Sequence, residues 1–420
     1  MKKLGHQVGN PEKMQVKISG NNSWFQNHYS GAGNMSKKIF ISLFSLICIF
    51  CVSNSSLRAG DLGYVNVKDC GATGNGTTDD SDAVQLAVNN AIALPTGGTV
   101  FFPAGKYRIT KAILCNYIYP KGLKLSGAGM GQTVVTLYGN YTLFNVQAPD
   151  EGAPHSGFVD AFVLENMTLT SSDAIAKVDS IAVSTKKFES RWLISHCKFT
   201  GWGKWAVVVG ESVMEGAIRD CSFLANNRGI VFDGYNDQVV VDCCSFWGQT
   251  NEHLRINSSR VRISRTFFGK AATAIIFGKG GMQRAKRCSI EYCDFEGQQD
   301  MTSFISVGAD EASDSLVYER ISIQNCVFGV NPKSATEVHN VPYGIMLKNP
   351  VKELLIENCK FVNVVQAAVN ADFNSANDVM CINNSYRNNN ILNTKNANAL
   401  HILNDRPIFS VNQNNSIERE

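Results

Sequence analysis

The chain has 420 residues, of which 44% are hydrophobic and 18% charged, with a formal net charge of +3. That is enough apolar material for one long domain or two ordinary ones, and the weak charge leaves no electrostatic footprint for nucleic acid. Helical periodicity is scarce after residue 95 while short runs of Val, Ile and Phe abound, which is the make-up of a β-rich globular protein.

Residues 1–34 are polar and aperiodic, an over-extended start or a disordered leader, with Met35 as a second candidate start. Ser36-Lys37-Lys38 then precede an apolar run from Ile39 to Val52 and a small polar stretch from Ser53 to Gly60. This reads as a secretory signal peptide over 35–59, cleaved after Ala59, with an uncleaved anchor as the alternative. The expected address is extracellular or periplasmic, with no stable membrane insertion after cleavage.

From Val67 to Thr110 the chain reads as turn, helix, turn, strand, tight turn, strand. Gly71, Gly74 and Gly76 alternate with small polar residues, which suits an irregular loop with positive φ at glycine. Thr78 or Asp79 is placed to cap a helix, with Asp80 and Asp82 at the positive end of its dipole. Val84, Ala87, Val88, Ala91 and Ile92 then form one apolar stripe, and Pro95 and Gly97-Gly98 end it. Thr99–Phe102, the turn Pro103-Ala104-Gly105 and Tyr107-Arg108-Ile109 complete the unit. The run Gly71-Ala72-Thr73-Gly74-Asn75-Gly76-Thr77-Thr78-Asp79-Asp80, continued through Tyr107-Arg108-Ile109, resembles the opening of the pectate-lyase-like, rhamnogalacturonase/epimerase-like β-helix superfamily. The resemblance implies a parallel β-helix and is specific for fold rather than reaction.

After residue 163 one phrase recurs: LENMTL, ISHCKF, IRDCSF, VDCCSF, ISRTFF, IEYCDF, IQNCVF, IENCKF and a degenerate CINNSY. Its closing residue falls at 169, 199, 223, 246, 268, 295, 328, 361 and 386, in steps of 22 to 33 residues. A period of this size without intervening helices points to stacked β-coils. Within the phrase the inward parity changes, so the chain bends at its middle. The second bend residue is Asn166, His196, Asp220, Asn325, Asn358 or Asn383, types that tolerate the left-handed region, but Cys243, Arg265 and Tyr292 elsewhere. A third strand lies between phrases, at Ala206–Val209, Gly229–Phe232, His253–Ile256, Ala274–Phe277, Phe304–Val307, Gly344–Leu347, Ala367–Asn370 and Ala399–Leu403. Of the thirteen cysteines two lie in the signal segment and most of the others occupy the slot after the bend, which predicts stacked buried thiols rather than disulfides.

The fold expected is all-β: a single-stranded right-handed parallel β-helix over 61–405, pectin-lyase-like, with residues 61–110 as an amino-terminal cap containing an α-helix, and a loose tail at 406–420. Leucine-rich repeats are the rival architecture, but their leucine spacing and helical return are missing.

Overlaying the third strands places Val209, Phe232, Ile256, Phe277 and Val307 in one inward column, and Val208, Val231, Arg255, Ile276 and Ser306 outward. Gly210, Asp233, Asn257, Gly278 and Gly308 form the outward column beside them. By alternation His253 faces outward two residues before Arg255, with Asp233 one coil below Asn257 and diagonal to Arg255. Asp233, His253 and Arg255 are therefore the candidate catalytic residues, and Glu211, Glu252, Lys279, Trp205 and Trp247 the candidate substrate-binding ones, with Trp202 also in a loop leading to this face. In the resembled superfamily the substrate groove follows the same strand. A lyase acting on a uronate polymer needs a base, with His253 the natural one, and a cation beside the carboxylate: Arg255, Lys279 or a bound Ca²⁺. Arg255 as base, as a likeness to pectate lyases implies, works against its high pKa. A hydrolase needs two carboxyl groups roughly 5 to 9.5 Å apart, which Asp233 with Glu211 or Glu252 would supply. The function expected is a secreted protein that degrades or modifies a polysaccharide by β-elimination or hydrolysis. A non-catalytic glycan-binding, adhesin or surface protein is the alternative, and homo-oligomerisation stays open.

Overall fold

A single left-handed residue in the middle of each phrase turns the chain from one face of a coil to the next. In a computed structural model of the chain, Asn166, His196, Asp220, Cys243, Arg265, Tyr292, Asn325 and Asn358 all hold φ between 47 and 60°. The bend is therefore kept even where the side chain does not favour it. A second column of such bends was not legible in the sequence. Ala161, Arg191, Glu215, Gln238, Arg260, Arg287, Arg320 and Glu353 have φ between 44 and 58° and lie just before or within the first three residues of the strand that leads into each phrase.

The structure describes residues 63–117, 121–147, 159–172, 179–186, 188–210, 213–234, 236–278, 285–297, 301–308, 318–329, 341–371, 385–387, 389–392, 411–413 and 415–418. The proposed leader, the signal peptide, most of the tail and the strand expected at Ala399–Leu403 lie outside the described residues. Every named strand pairing is parallel, each strand with its equivalents one coil away. The third strands form one sheet of ten, running from Ile113–Asn116 at one edge to Val364–Ala371 at the other, here called the groove face. The architecture is the expected parallel β-helix.

The core is built of repeated columns. Phe199, Phe223, Phe246, Phe268, Phe295, Phe328 and Phe361 stack ring on ring, with centroids 4.4 to 5.2 Å apart and planes within 14° of parallel. Those separations follow from the strand spacing of about 4.8 Å. Beside them Cys197, Cys221, Cys244, Cys293, Cys326 and Cys359 are buried and unbridged. Each thiol lies 3.2 to 3.4 Å from the carbonyl oxygen two residues earlier, across the bend. The slot thus takes a small side chain with one weak donor, and Thr266 fills it in the intervening coil with the same bond, Oγ1 donating to Ser264 O at 2.9 Å.

The helix expected near residue 80 is present as Ser81–Ala93, with Val84, Ala87, Val88 and Ala91 fully buried. Its start differs from expectation. Asp80 occupies the N-cap position but makes no side-chain cap bond. Its buried carboxylate instead accepts from Thr73 N at 2.7 Å and Gly74 N at 3.2 Å, tying down the glycine loop. Asp79 accepts from Ser81 N at 3.1 Å. Gln85 reaches from the helix to the edge strand of the groove face, where its Oε1 accepts from Leu114 N at 2.8 Å and its Nε2 donates to Leu114 O at 3.0 Å.

Candidate functional site

Strand pairing confirms the outward columns of the groove face. Val208, Val231, Arg255, Ile276 and Ser306 are successive partners. The neighbouring column follows from Asp233 N donating to Val209 O at 2.8 Å and Asn257 N to Phe232 O at 2.9 Å. Asn257 Nδ2 then donates to Asp233 Oδ1 at 3.3 Å. A third outward column, at the start of the strands, carries Trp205, Arg228, Glu252 and Thr273 on successive coils.

These columns meet in a depression of about 380 Å³ bounded by Lys204, Trp205, Val208, Asp233, Arg255 and Asn257. Glu252 is 4% exposed. It sits between two guanidiniums, with Arg228 Nε 3.2 Å from Oε2 and Arg255 Nη2 paired to Oε1. Both guanidiniums lie over the Trp205 ring, at 5.5 and 5.7 Å from its centre. Burial lowers the Arg255 pKa; Glu252 pulls it back up and Arg228 adds to the lowering. An arginine stays charged through such a shift. Two cations thus share one buried carboxylate, which leaves a local positive charge facing Asp233.

Three sequence expectations need correction. His253 does not face the groove: it is fully buried, 5.6 Å from the Phe246 ring and 5.8 Å from Phe268. The cause is a break in alternation where the strand leaves its corner. Amides of Ala206 and Val207 both donate to Gly229 O in the coil above, so two consecutive residues point inward there. His253 and Leu254 are the corresponding pair, both at 0% exposure. Desolvation holds the imidazole down at a pKa of about 4, so it is no base for groove chemistry. Trp247 is exposed but on the adjacent face, in the strand Ser245–Trp247 paired with Ser222–Leu224. Trp202 is a buried plug whose Nε1 donates to Leu169 O at 3.2 Å.

Asp233, Arg255, Glu252 and Trp205 do come together, although the ion-pair partner of Arg255 is Glu252. Glu211 and Lys279 lie outside the described residues, as does most of the acidic loop that follows Gly308. Arg228 and Lys204 were missed. Extending the overlay two residues towards the start of each strand would have found Arg228, because it is the coil neighbour of Trp205 and Glu252. Among the described residues no three His, Cys, Asp or Glu side chains converge on a metal position, and no helix is long and apolar enough to cross a membrane.

A family described as "Rhamnogalacturonase A/epimerase, pectate lyase-like" matches residues 64–156. The solved A-module of Mannuronan C-5 epimerase AlgE4 from Azotobacter vinelandii superposes with a TM-score of 0.63. That match covers 84% of this chain and 95% of the module at 17% identity. The chain is a parallel β-helix whose residues 64–156 match that family. The tailspike of the E. coli bacteriophage HK620 gives the same TM-score at 12% identity, over 87% of this chain and 69% of the tailspike. At these identities the parallel β-helix fold is what is shared. In sequence, Alginate lyase 7 of Azotobacter vinelandii is 45% identical over 75 residues, 17% of this chain and 9% of that protein. An Alteromonas macleodii protein named Iota-carrageenase is 49% identical over 47 residues, 11% of this chain and 10% of its own length. The chain spans about a tenth of the length of the curated relatives it matches.

Proposed function

We propose that this β-helix is a secreted enzyme that binds a carboxylated polysaccharide along the groove face and removes the proton next to a sugar carboxylate. The observation that carries the reading is the pair Arg228 and Arg255, held over Trp205 by the buried carboxylate of Glu252 and facing Asp233. Such a proton is acidic only when the carboxylate charge is offset, and prealigned guanidiniums in a partly dry depression do that. Trp205, buried beneath the two guanidiniums, helps hold them in place through its ring face. Asp233, oriented by Asn257, takes the proton. Loss of the glycosidic oxygen from the resulting carbanion gives elimination; reprotonation from the other side gives epimerisation. Relatives named for alginate and mannuronan fit a polyuronate, and one named for carrageenan keeps a sulfated chain in the panel.

The test uses the chain from Asp61 onward with alginate, polygalacturonate, carrageenan and neutral glycans, with and without Ca²⁺. Ultraviolet absorbance reports unsaturated uronate, nuclear magnetic resonance reports changed uronate configuration, and reducing ends report hydrolysis. Activity on a polyuronate should fall about 10²- to 10³-fold in a folded Arg255→Ala variant. Reducing ends from a neutral glycan without absorbance or epimerisation would overturn the proton-abstraction reading, and binding without any product would make the protein a glycan-binding one.

A further inference from the structure

We infer that Trp247 forms a second glycan-binding surface, a stacking platform on the face next to the groove. Trp247 is 39% exposed, the most open tryptophan among the described residues, and its indole lies across the backbone of Gly269. That placement is enforced from beneath. The residue one coil above in its column is Gly269, and a Cβ there would come within 2.3 Å of Trp247 Cε3. Any side chain at 269 would lift the ring. Gly269 is itself pinned from both sides: its amide donates to Phe246 O at 2.7 Å, and its carbonyl is 3.0 Å from His253 Nε2 in the core. The buried histidine that the groove does not use thus fixes the strand under the ring.

The surroundings extend the platform in the way a sugar polymer requires. Phe267, one coil above Ser245, lies parallel to the indole within 14° at a centroid distance of 6.0 Å. Lys270 Nζ lies over the Trp247 ring, 5.8 Å from its centre, and a bound uronate would meet this cation by displacing it towards the ring's edge. Ser245 and Ser222 share the same outward row and offer hydroxyl partners at the edge of the apolar area. A ring with a flat apolar surface, hydroxyl donors beside it and one cation is suited to a pyranose carrying a carboxylate. Only four residues lie between Trp247 and Glu252, so their Cα atoms are at most about 18 Å apart, round one corner of the coil. A single polymer chain can occupy both.

The ligand class rests on the polyuronate reading of the groove; the platform's geometry does not. Affinity electrophoresis through gels containing alginate or polygalacturonate separates the two. Trp247→Ala should weaken retention roughly tenfold, Trp247→Phe should restore most of it, and Gly269→Ala should weaken it by lifting the ring. Arg255→Ala should weaken retention separately, and the double variant more than either. Retention of Trp247→Ala equal to the parent chain, with folding intact by circular dichroism, would overturn the platform while leaving the groove. A change in sedimentation from dimer to monomer in Trp247→Ala, with retention unaltered, would show that a second copy covers the ring and would also overturn it. A Trp247 effect without any Arg255 effect, and no product from any polymer, would sink the groove reading and leave the platform.

Discussion

At the scale of single residues, His253 is the side chain whose environment makes the sharpest demand. Its Nε2 bonds to the Gly269 carbonyl, which requires the proton on that nitrogen, burial keeps the ring neutral, and Nδ1 has no partner. An imidazole in the unfolded chain titrates near 6.5, whereas burial lowers this one to about 4. Between those values the unfolded chain takes up a proton and the folded chain does not. Stability should therefore decline as pH falls from 6.5 towards 4, by on the order of 3 kcal/mol, and level off below. Denaturant midpoints measured across that window, in the parent and in His253→Met, test this: the parent should lose more than the variant. Identical pH slopes would show that the ring is protonated or solvated when folded. The error made in reading this position from sequence is instructive. Alternation counted back from Ile256 and Leu254 puts residue 253 outside, and nothing local announces the bulge at the corner. The signal lies in its column, where Gly229 and Gly344 leave room for the phenylalanine stack and Phe304 packs directly on it, so the position faces the core.

At the scale of elements, the bend and the thiol slot form one unit. Turning the chain through a left-handed residue leaves the carbonyl two residues before the cysteine pointing at the sulfur, and the thiol answers it. Burial raises the pKa of Cys221, Cys244 and Cys326 well above the ordinary thiol value, and that of Cys115 and Cys288 to about 12. These groups are therefore protonated and inert at neutral pH. A brief alkylation pulse on the native chain, mapped by peptide mass spectrometry, should label Cys243, which is exposed, and more slowly Cys70. Labelling of Cys221 or Cys244 before unfolding would contradict the stack. The first bend column was legible because asparagine and aspartate recur in it. The second was not, since Arg191, Glu215, Arg260 and Arg320 have no preference for the left-handed region and are held there by closure of the coil. Their long polar side chains instead bridge coils, as where Arg320 Nε meets Glu353 Oε2 at 2.6 Å and Arg260 Nη1 meets Asp237 Oδ2 at 2.9 Å.

At the scale of the whole molecule, a stack of strands has two open ends, and the groove face begins with Ile113–Asn116. We assign the role of end cap to the helix Ser81–Ala93, because Gln85 takes both the N–H and the C=O of Leu114 on that first strand. Gln85→Ala should speed amide exchange at 113–116, leave the next strand, Thr142–Gln147, unchanged, and lower stability by about 1–2 kcal/mol. Unaltered exchange at Leu114 would remove the helix from that role. The groove was half legible for a reason that also belongs to this scale. Asp233, Asn257 and Arg255 were found by overlaying repeats, since no window of contiguous residues contains the site; Arg228 escaped because that overlay stopped short. The steps between phrases vary from 22 to 33 residues, yet the inward and outward columns stay in line. Length differences are absorbed wholly in the connections between strands. Added residues in those connections will therefore reshape the walls of the groove without displacing its floor, so the lining can vary by insertion while the geometry of the candidate site is inherited intact.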